Sequence, residues 1–183
     1  GRLLEAVLRR EGHRAILMEE SQATITRSLG TNTGQCIPIN AITEGFVECL
    51  TKHDLDPEKT VLWMSDACIA CNIALYPHHV KSLLNTRGGG LERANVYVGD
   101  FFYKDISSRA AFNAVFAYMF GGMLRRLACR LRPYEIQNGE VDRVLETSLE
   151  IFYEAFLGRM KKQEAVVAAI ERFAAIPVQK TKL

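Results

Sequence analysis

The sequence has little excess of charge of either sign. Lys and Arg total 23 and Asp and Glu total 21, which leaves a net charge of +2 on 183 residues at pH 7. A nucleic-acid-binding domain usually presents a basic face that neutralises phosphates. The near balance argues against that class, so we expect no nucleic-acid partner.

The sequence also lacks a long apolar run. Its longest apolar stretch, 110–124, contains Asn113 and the pair Gly121-Gly122. A helix that spans a bilayer needs about 20 predominantly apolar residues. The first residues do not have the charged, apolar and small-residue order of a signal peptide. We therefore expect a cytoplasmic protein with no membrane partner.

The cysteine pattern contains neither a disulfide framework nor paired zinc ligands. The chain has five cysteines, an odd number, and only Cys68 and Cys71 form a C-x-x-C pair. A four-cysteine zinc site needs a second such pair. A chain of this size buries about 70% of its unfolded surface, so it needs no disulfides to fold. We interpret the cysteines as reduced thiols.

Apolar periodicity divides the chain into an α/β part and a helical part. The α/β elements that it predicts are a helix over 3–11, strands over 14–20, 61–65 and 94–100, and helices over 42–50 and 72–84. Beyond 105 it predicts helices only, at 109–131, 140–156 and 163–176. Strands that alternate with helices favour a parallel sheet. We expect one α/β domain over 1–183, with Rossmann-like or flavodoxin-like layers in 1–105 and an α-helical part in 106–183.

Both ends of the sequence resemble internal positions of a longer chain. A helical pattern is already under way at Leu3, and 179–183 carries no clear element. We therefore expect the chain to be part of a longer polypeptide.

The stretch 61–72 predicts a strand, a cysteine loop and the start of a helix. The carboxyl end of a strand in an open α/β sheet is where ligands bind, because the next helix points its amide groups there. A thiol in that position is biased toward the thiolate. Cys68 and Cys71 could share a metal, form a disulfide or be buried and inert, and their spacing alone does not decide between these.

Two further cysteines stand beside predicted helix ends. Cys36 precedes a helix, and Cys129 ends one, close to Arg130 and Arg132. If Cys36, Cys129 and one cysteine of the C-x-x-C pair converge, they form a three-thiolate site. Such a site suits an iron–sulfur cluster with one iron left open to substrate. Arg132 could bind phosphate or carboxylate through forked hydrogen bonds, or could be paired locally.

The cysteine segments and 132–135, taken in order, resemble the dehydratase-like part of the 2-hydroxyacyl-CoA dehydratase and activase family. The similarity is closest to long bacterial proteins in which activase ATPase modules are fused to dehydratase-like modules, and it covers 17–176. The first family motif matches 34–38. The second, commonly Gly-Pro-Cys-Arg followed by a tyrosine, falls on 69–72 with Tyr76, where alanine and asparagine replace proline and arginine. The third matches Arg132-Pro133-Tyr134-Glu135.

The resemblance implies a four-iron four-sulfur cluster and a lyase activity. The implied ligands are Cys36, Cys71 and Cys129, with Cys68 in reserve, and the implied cofactor contacts are Arg132 and Tyr134. In the family an ATP-hydrolysing activase injects one electron, and a ketyl radical of the thioester then expels the 2-hydroxyl group. The implied partners are an activase module, the remainder of the parent polypeptide and an acyl-CoA. The chain has no Walker-type loop, so ATP would bind elsewhere.

Two other classes of function remain open. One is a thiol–disulfide redox domain that uses Cys68 and Cys71, because a strand, a C-x-x-C pair and a helix also form the thioredoxin-like arrangement. The other is a non-catalytic scaffold. In that case the helix over 109–131 serves as an interface, since its large apolar residues exceed the needs of one buried stripe. Those residues are Phe112, Phe116, Met119, Phe120 and Met123.

Overall fold

The computed structural model describes residues 1–34, 36–65, 72–100 and 102–179. The chain forms two compact units: unit 1 comprises Gly1–Leu17 and Phe102–Leu183, and unit 2 comprises Met18–Phe101. The elements in chain order are α1 (Arg2–Arg10), α2 (Gln22–Gly30), α3 (Ile37–Lys52), β1 (Val61–Ser65), α4 (Tyr76–Arg87), β2 (Asn95–Gly99), α5 (Ser108–Leu131), α6 (Glu140–Leu157) and α7 (Lys162–Ala174). No helix among the described residues is long and apolar enough to cross a bilayer.

Unit 1 is a helical assembly of α1, α5, α6 and α7. Helix α5 begins after Ser107, whose side chain accepts a hydrogen bond from the Ala110 amide at 2.9 Å and so satisfies one of the unpaired amides of the first turn. Helix α6 ends at Gly158, which has a φ of 87°, a conformation that glycine adopts without a steric penalty. The helices expected over 3–11, 109–131, 140–156 and 163–176 are confirmed.

The core of unit 1 is built from α5, α6 and their neighbours. Phe120 of α5 packs on Phe152 of α6 with 4.9 Å between the ring centroids. Phe156 lies at the centre and is fully buried. Helix α1 adds Leu3 and Val7, which recur at helical spacing and are buried. The predicted helical half of the chain thus has a continuous apolar interior.

In the part of unit 2 that the structure describes, one strand–helix–strand crossover is accompanied by two further α-helices. Strands β1 and β2 pair in parallel, from Val61 opposite Asn95 to Ser65 opposite Gly99. Helix α4 forms the crossover between them, as parallel strands require. One face of this sheet packs on α3 and α4 through a cluster of buried residues: Ile39, Phe46, Leu50, Leu62, Tyr76, Val80, Leu84 and Ala94.

A buried carboxylate joins three helices of unit 2. Glu44 of α3 is only 6% exposed. It receives a hydrogen bond from Arg87 of α4 and lies 3.6 Å from the Nε of Arg27 in α2. Arg27 also pairs with Glu48, one turn further along α3. Glu44 is therefore compensated by two cations, as a buried charge must be.

The predicted α/β class with a layered parallel sheet is wrong. Helices make up 67% of the described residues, and the sheet in that part of the chain has two strands only. The strand expected over 14–20 does not form, although those expected over 61–65 and 94–100 do. The carbonyl of Ala15 accepts from the Arg9 guanidinium at 3.0 Å, and Leu17 is 39% exposed. This segment therefore lacks the burial that a parallel strand needs.

Candidate functional site

Cys36 lies at the start of α3, in unit 2. It is the residue directly before the 16-residue helix, and Pro38 occupies the first turn, where a missing amide hydrogen costs nothing. The Asn72 side-chain amide donates a hydrogen bond to the Cys36 sulfur at 2.9 Å. Asn72 begins the 3₁₀ helix Asn72–Leu75 that leads into α4. The structure thus brings together the start of α3 and the chain that follows β1.

This environment favours the thiolate form of Cys36. Hydrogen bonds from Asn72 and, second, from Tyr76 lower the pKa of the Cys36 thiol below its ordinary value, and desolvation opposes them only in part. The partial positive charge at a helix N-terminus acts in the same direction. Cys49, in the last turn of α3, differs because burial raises the pKa of its thiol. Cys36 is therefore the better nucleophile and the better ligand for a soft metal.

Cys68 and Cys71 lie outside the described residues. Cys71 directly precedes Asn72 in the chain. Among the described residues no group of three His, Cys, Asp or Glu side chains is placed to hold a metal ion. The described residues do not include Cys68 and Cys71, so the role of these two cysteines as ligands stays a prediction.

The remaining predicted site residues lie in unit 1. Cys129 is exposed near the end of α5, and the Arg132 guanidinium lies 3.7 Å from its sulfur. The same guanidinium donates two hydrogen bonds to Asp142, at 2.9 and 2.6 Å. Tyr134 follows in a short 3₁₀ helix. Arg132 is therefore paired locally, and a role for Arg132 or Tyr134 in binding a cofactor stays a prediction.

Asn72 and Tyr76 are the residues whose roles sequence reasoning missed. Both lie in the segment that resembles the second family motif, and Asn72 stands where arginine is common. Only the folded structure places their side chains against Cys36. A polar residue directly after a C-x-x-C pair was the one signal available in the sequence.

No family model, no curated protein and no solved structure matches this chain. The resemblance to the dehydratase and activase family therefore stays a prediction. Function is therefore inferred from the geometry around Cys36.

Replacing Asn72 with alanine should slow the alkylation of Cys36 at neutral pH several-fold. The variant loses the main hydrogen bond that lowers the Cys36 pKa, so the thiolate fraction falls and the midpoint of the pH–rate profile moves upward. The measurement is carbamidomethylation of the Cys36 peptide followed by mass spectrometry across a pH series. Asn85→Ala, an exposed position on α4, is the matched control. An unchanged midpoint in Asn72→Ala would contradict the assignment.

Proposed function

We propose that this chain is an iron–sulfur-cluster-binding, dehydratase-like module that takes part in low-potential electron transfer to a CoA thioester. The observation that supports it is the 2.9 Å hydrogen bond between Asn72 and Cys36. Asn72 directly follows Cys71 in the sequence, so Cys36 contacts the residue next to the C-x-x-C pair. Thiolates from separate segments that meet at one place are the ligands that such clusters use.

The residues around Cys36 fit this role. Its thiol has a lowered pKa, and metal binding requires the deprotonated form. The ligands in this proposal are Cys36, Cys71 and Cys129, with Cys68 in reserve for the third position.

A cluster with one iron not held by cysteine supplies a Lewis acid for the thioester carbonyl or the 2-hydroxyl group, and a site for one electron. In this proposal Asn72 and Tyr76 hold the Cys36 thiolate in place. Arg132 and Tyr134 help to bind the cofactor in this proposal, as the family resemblance implies. The activase module and the remainder of a parent polypeptide provide ATP hydrolysis, and the protein works in the cytoplasm.

The test is an iron and acid-labile sulfide assay on protein purified without oxygen. We expect about four irons per chain and a broad visible absorption. Cys36→Ala and Cys71→Ala should lose the iron, whereas Cys49→Ala, which replaces a half-buried thiol of α3, should keep it. Comparison of Cys68→Ala with Cys129→Ala identifies the third ligand. An iron-free anaerobic preparation would exclude this function for the chain.

The order of β1, the C-x-x-C pair and the helix that begins at Asn72 supports a second candidate, thiol–disulfide exchange by Cys68 and Cys71. In that case Cys68 or Cys71 attacks the disulfide, and Cys36 takes no part. This candidate predicts a colourless protein in which Cys68 and Cys71 are readily oxidised to each other. The iron assay and a disulfide map of the same sample separate the two functions.

A further inference from the structure

Helix α5 exposes an apolar stripe on the side opposite its buried face. Its buried face carries mostly small residues, among them Ala110, Ala114 and Ala117. The opposite side carries four large apolar side chains that are 41 to 71% exposed, and two exposed arginines continue the stripe at helical spacing. We call this set the α5 face; it consists of Phe112, Phe116, Met119, Met123, Arg126 and Arg130.

The α5 face is too apolar to be an ordinary solvent-facing surface. Its four apolar side chains expose on the order of 400 Å², and a contiguous patch of a few hundred Å² marks an interaction site. Phe120, which sequence reasoning grouped with this set, packs instead into the core against Phe152.

Helix α7 of the same unit exposes a second face. Val167 and Ile170 are 54% and 57% exposed. Gln163, Glu164 and Glu171 lie beside Val167 on an open part of the helix surface. We call this set the α7 face; it consists of Gln163, Glu164, Val167, Ile170 and Glu171.

The two faces carry opposite charges. Helix α5 contains no Asp or Glu, and Arg126 and Arg130 give its face a charge of about +2. The α7 face carries Glu164 and Glu171. The ion pairs of unit 1 among the described residues use other side chains. The arginines and glutamates of these two faces therefore remain available to a partner.

We propose that a second copy of this chain covers the α5 face with its α7 face, in a reciprocal symmetric dimer. Helix α7 has 13 residues and is about 20 Å long, enough to cover the roughly 16 Å of apolar stripe from Phe112 to Met123 and to reach Arg126. Pairing two α5 faces instead would leave both arginines without acidic partners. Reciprocal use of both faces approaches the roughly 800 Å² per copy of a standard interface.

The first test is the mass of the full chain in solution across a concentration series, by light scattering or sedimentation. We expect a dimer whose dissociation constant rises about tenfold or more in Phe112→Ser and in Val167→Ser. Ile136→Ser, which replaces a side chain 57% exposed outside both faces, is the matched control and should dimerise as the wild type does. Circular dichroism checks that each variant is folded.

The second test uses charge reversal. The variant Arg126→Glu/Arg130→Glu places acidic groups opposite acidic groups, and the variant Glu164→Arg/Glu171→Arg places basic groups opposite basic groups. Each variant alone should be shifted to monomer. An equimolar mixture should form a heterodimer, because each α5 face then meets an α7 face of opposite charge.

Several outcomes would overturn the proposal. A wild-type chain that stays monomeric at the highest concentration excludes the second copy as the occupant. A dimer that survives both serine variants, or charge-reversed variants that do not associate on mixing, excludes these two faces. Monomers that bind vesicles of anionic lipid, and lose that binding in Arg126→Glu/Arg130→Glu, would assign the α5 face to a membrane surface instead.

Discussion

Replacing Phe156 with alanine should lower the free energy of unfolding by about 3 to 5 kcal/mol. The Phe156 side chain is fully buried, its ring lies 6.3 Å from that of Phe120, and the Lys162 ammonium lies 5.3 Å from its ring centroid. Truncation removes apolar contacts on several sides and leaves a cavity that a close-packed interior only partly fills. The measurement is urea denaturation followed by circular dichroism in the helical region.

Phe112→Ala provides the matched control for this prediction. The same side chain is removed from the same unit, but Phe112 is 71% exposed, so the expected cost is within about 0.5 kcal/mol. The comparison is made at high dilution, where association does not contribute to apparent stability. Equal costs at the two positions would contradict the placement of Phe156 in the core.

Replacing Glu44 with alanine should destabilise unit 2 by about 2 to 3 kcal/mol. Loss of one partner of a fully buried pair costs about 3 to 5 kcal/mol. Here the Arg87 and Arg27 side chains are 29% and 48% exposed, so water partly compensates the charges that are left. The single tryptophan of the chain, Trp63, lies in β1, and its fluorescence during denaturation reports on this unit.

Glu48→Ala serves as the control for Glu44→Ala. Glu48 pairs with the same Arg27, but its side chain is 37% exposed and that of Arg27 is 48% exposed. Exposed ion pairs contribute about 0 to 1 kcal/mol, so this variant should lose no more than that. If Glu48→Ala is as damaging as Glu44→Ala, burial is not the reason for the effect.

The sequence predicts the helices of this protein more accurately than it predicts the fold class. Long segments such as 109–131 carry many turns of consistent pattern and a serine cap, so periodicity alone predicts them. The segment 14–20 has only four adjacent apolar residues, and such a short run does not distinguish a strand from an irregular segment. Without that strand the expected layered sheet reduces to one parallel pair.

The sequence predicted the candidate site only in part, because local patterns do not encode contacts between distant positions. Cys36 was expected before a helix, because glycine and proline surround it, and α3 does begin directly after it. Its contact with Asn72 joins positions 36 residues apart. That contact depends on how the end of β1 and the start of α3 pack, and no local pattern encodes such packing. The same holds for Glu44, whose burial is set by helices α2 and α4.

The chain order of the two units affects the sequence of events during synthesis. Unit 2 is continuous, whereas unit 1 begins with Gly1–Leu17 and resumes only at Phe102. A ribosome therefore releases all of unit 2 before the helices that bury Leu3 and Val7 of α1. Domains generally fold as units as they emerge, so unit 2 can fold first. Helix α1 then keeps an uncovered apolar face until α5 and α6 are made, and that face is open to non-native contacts during this interval.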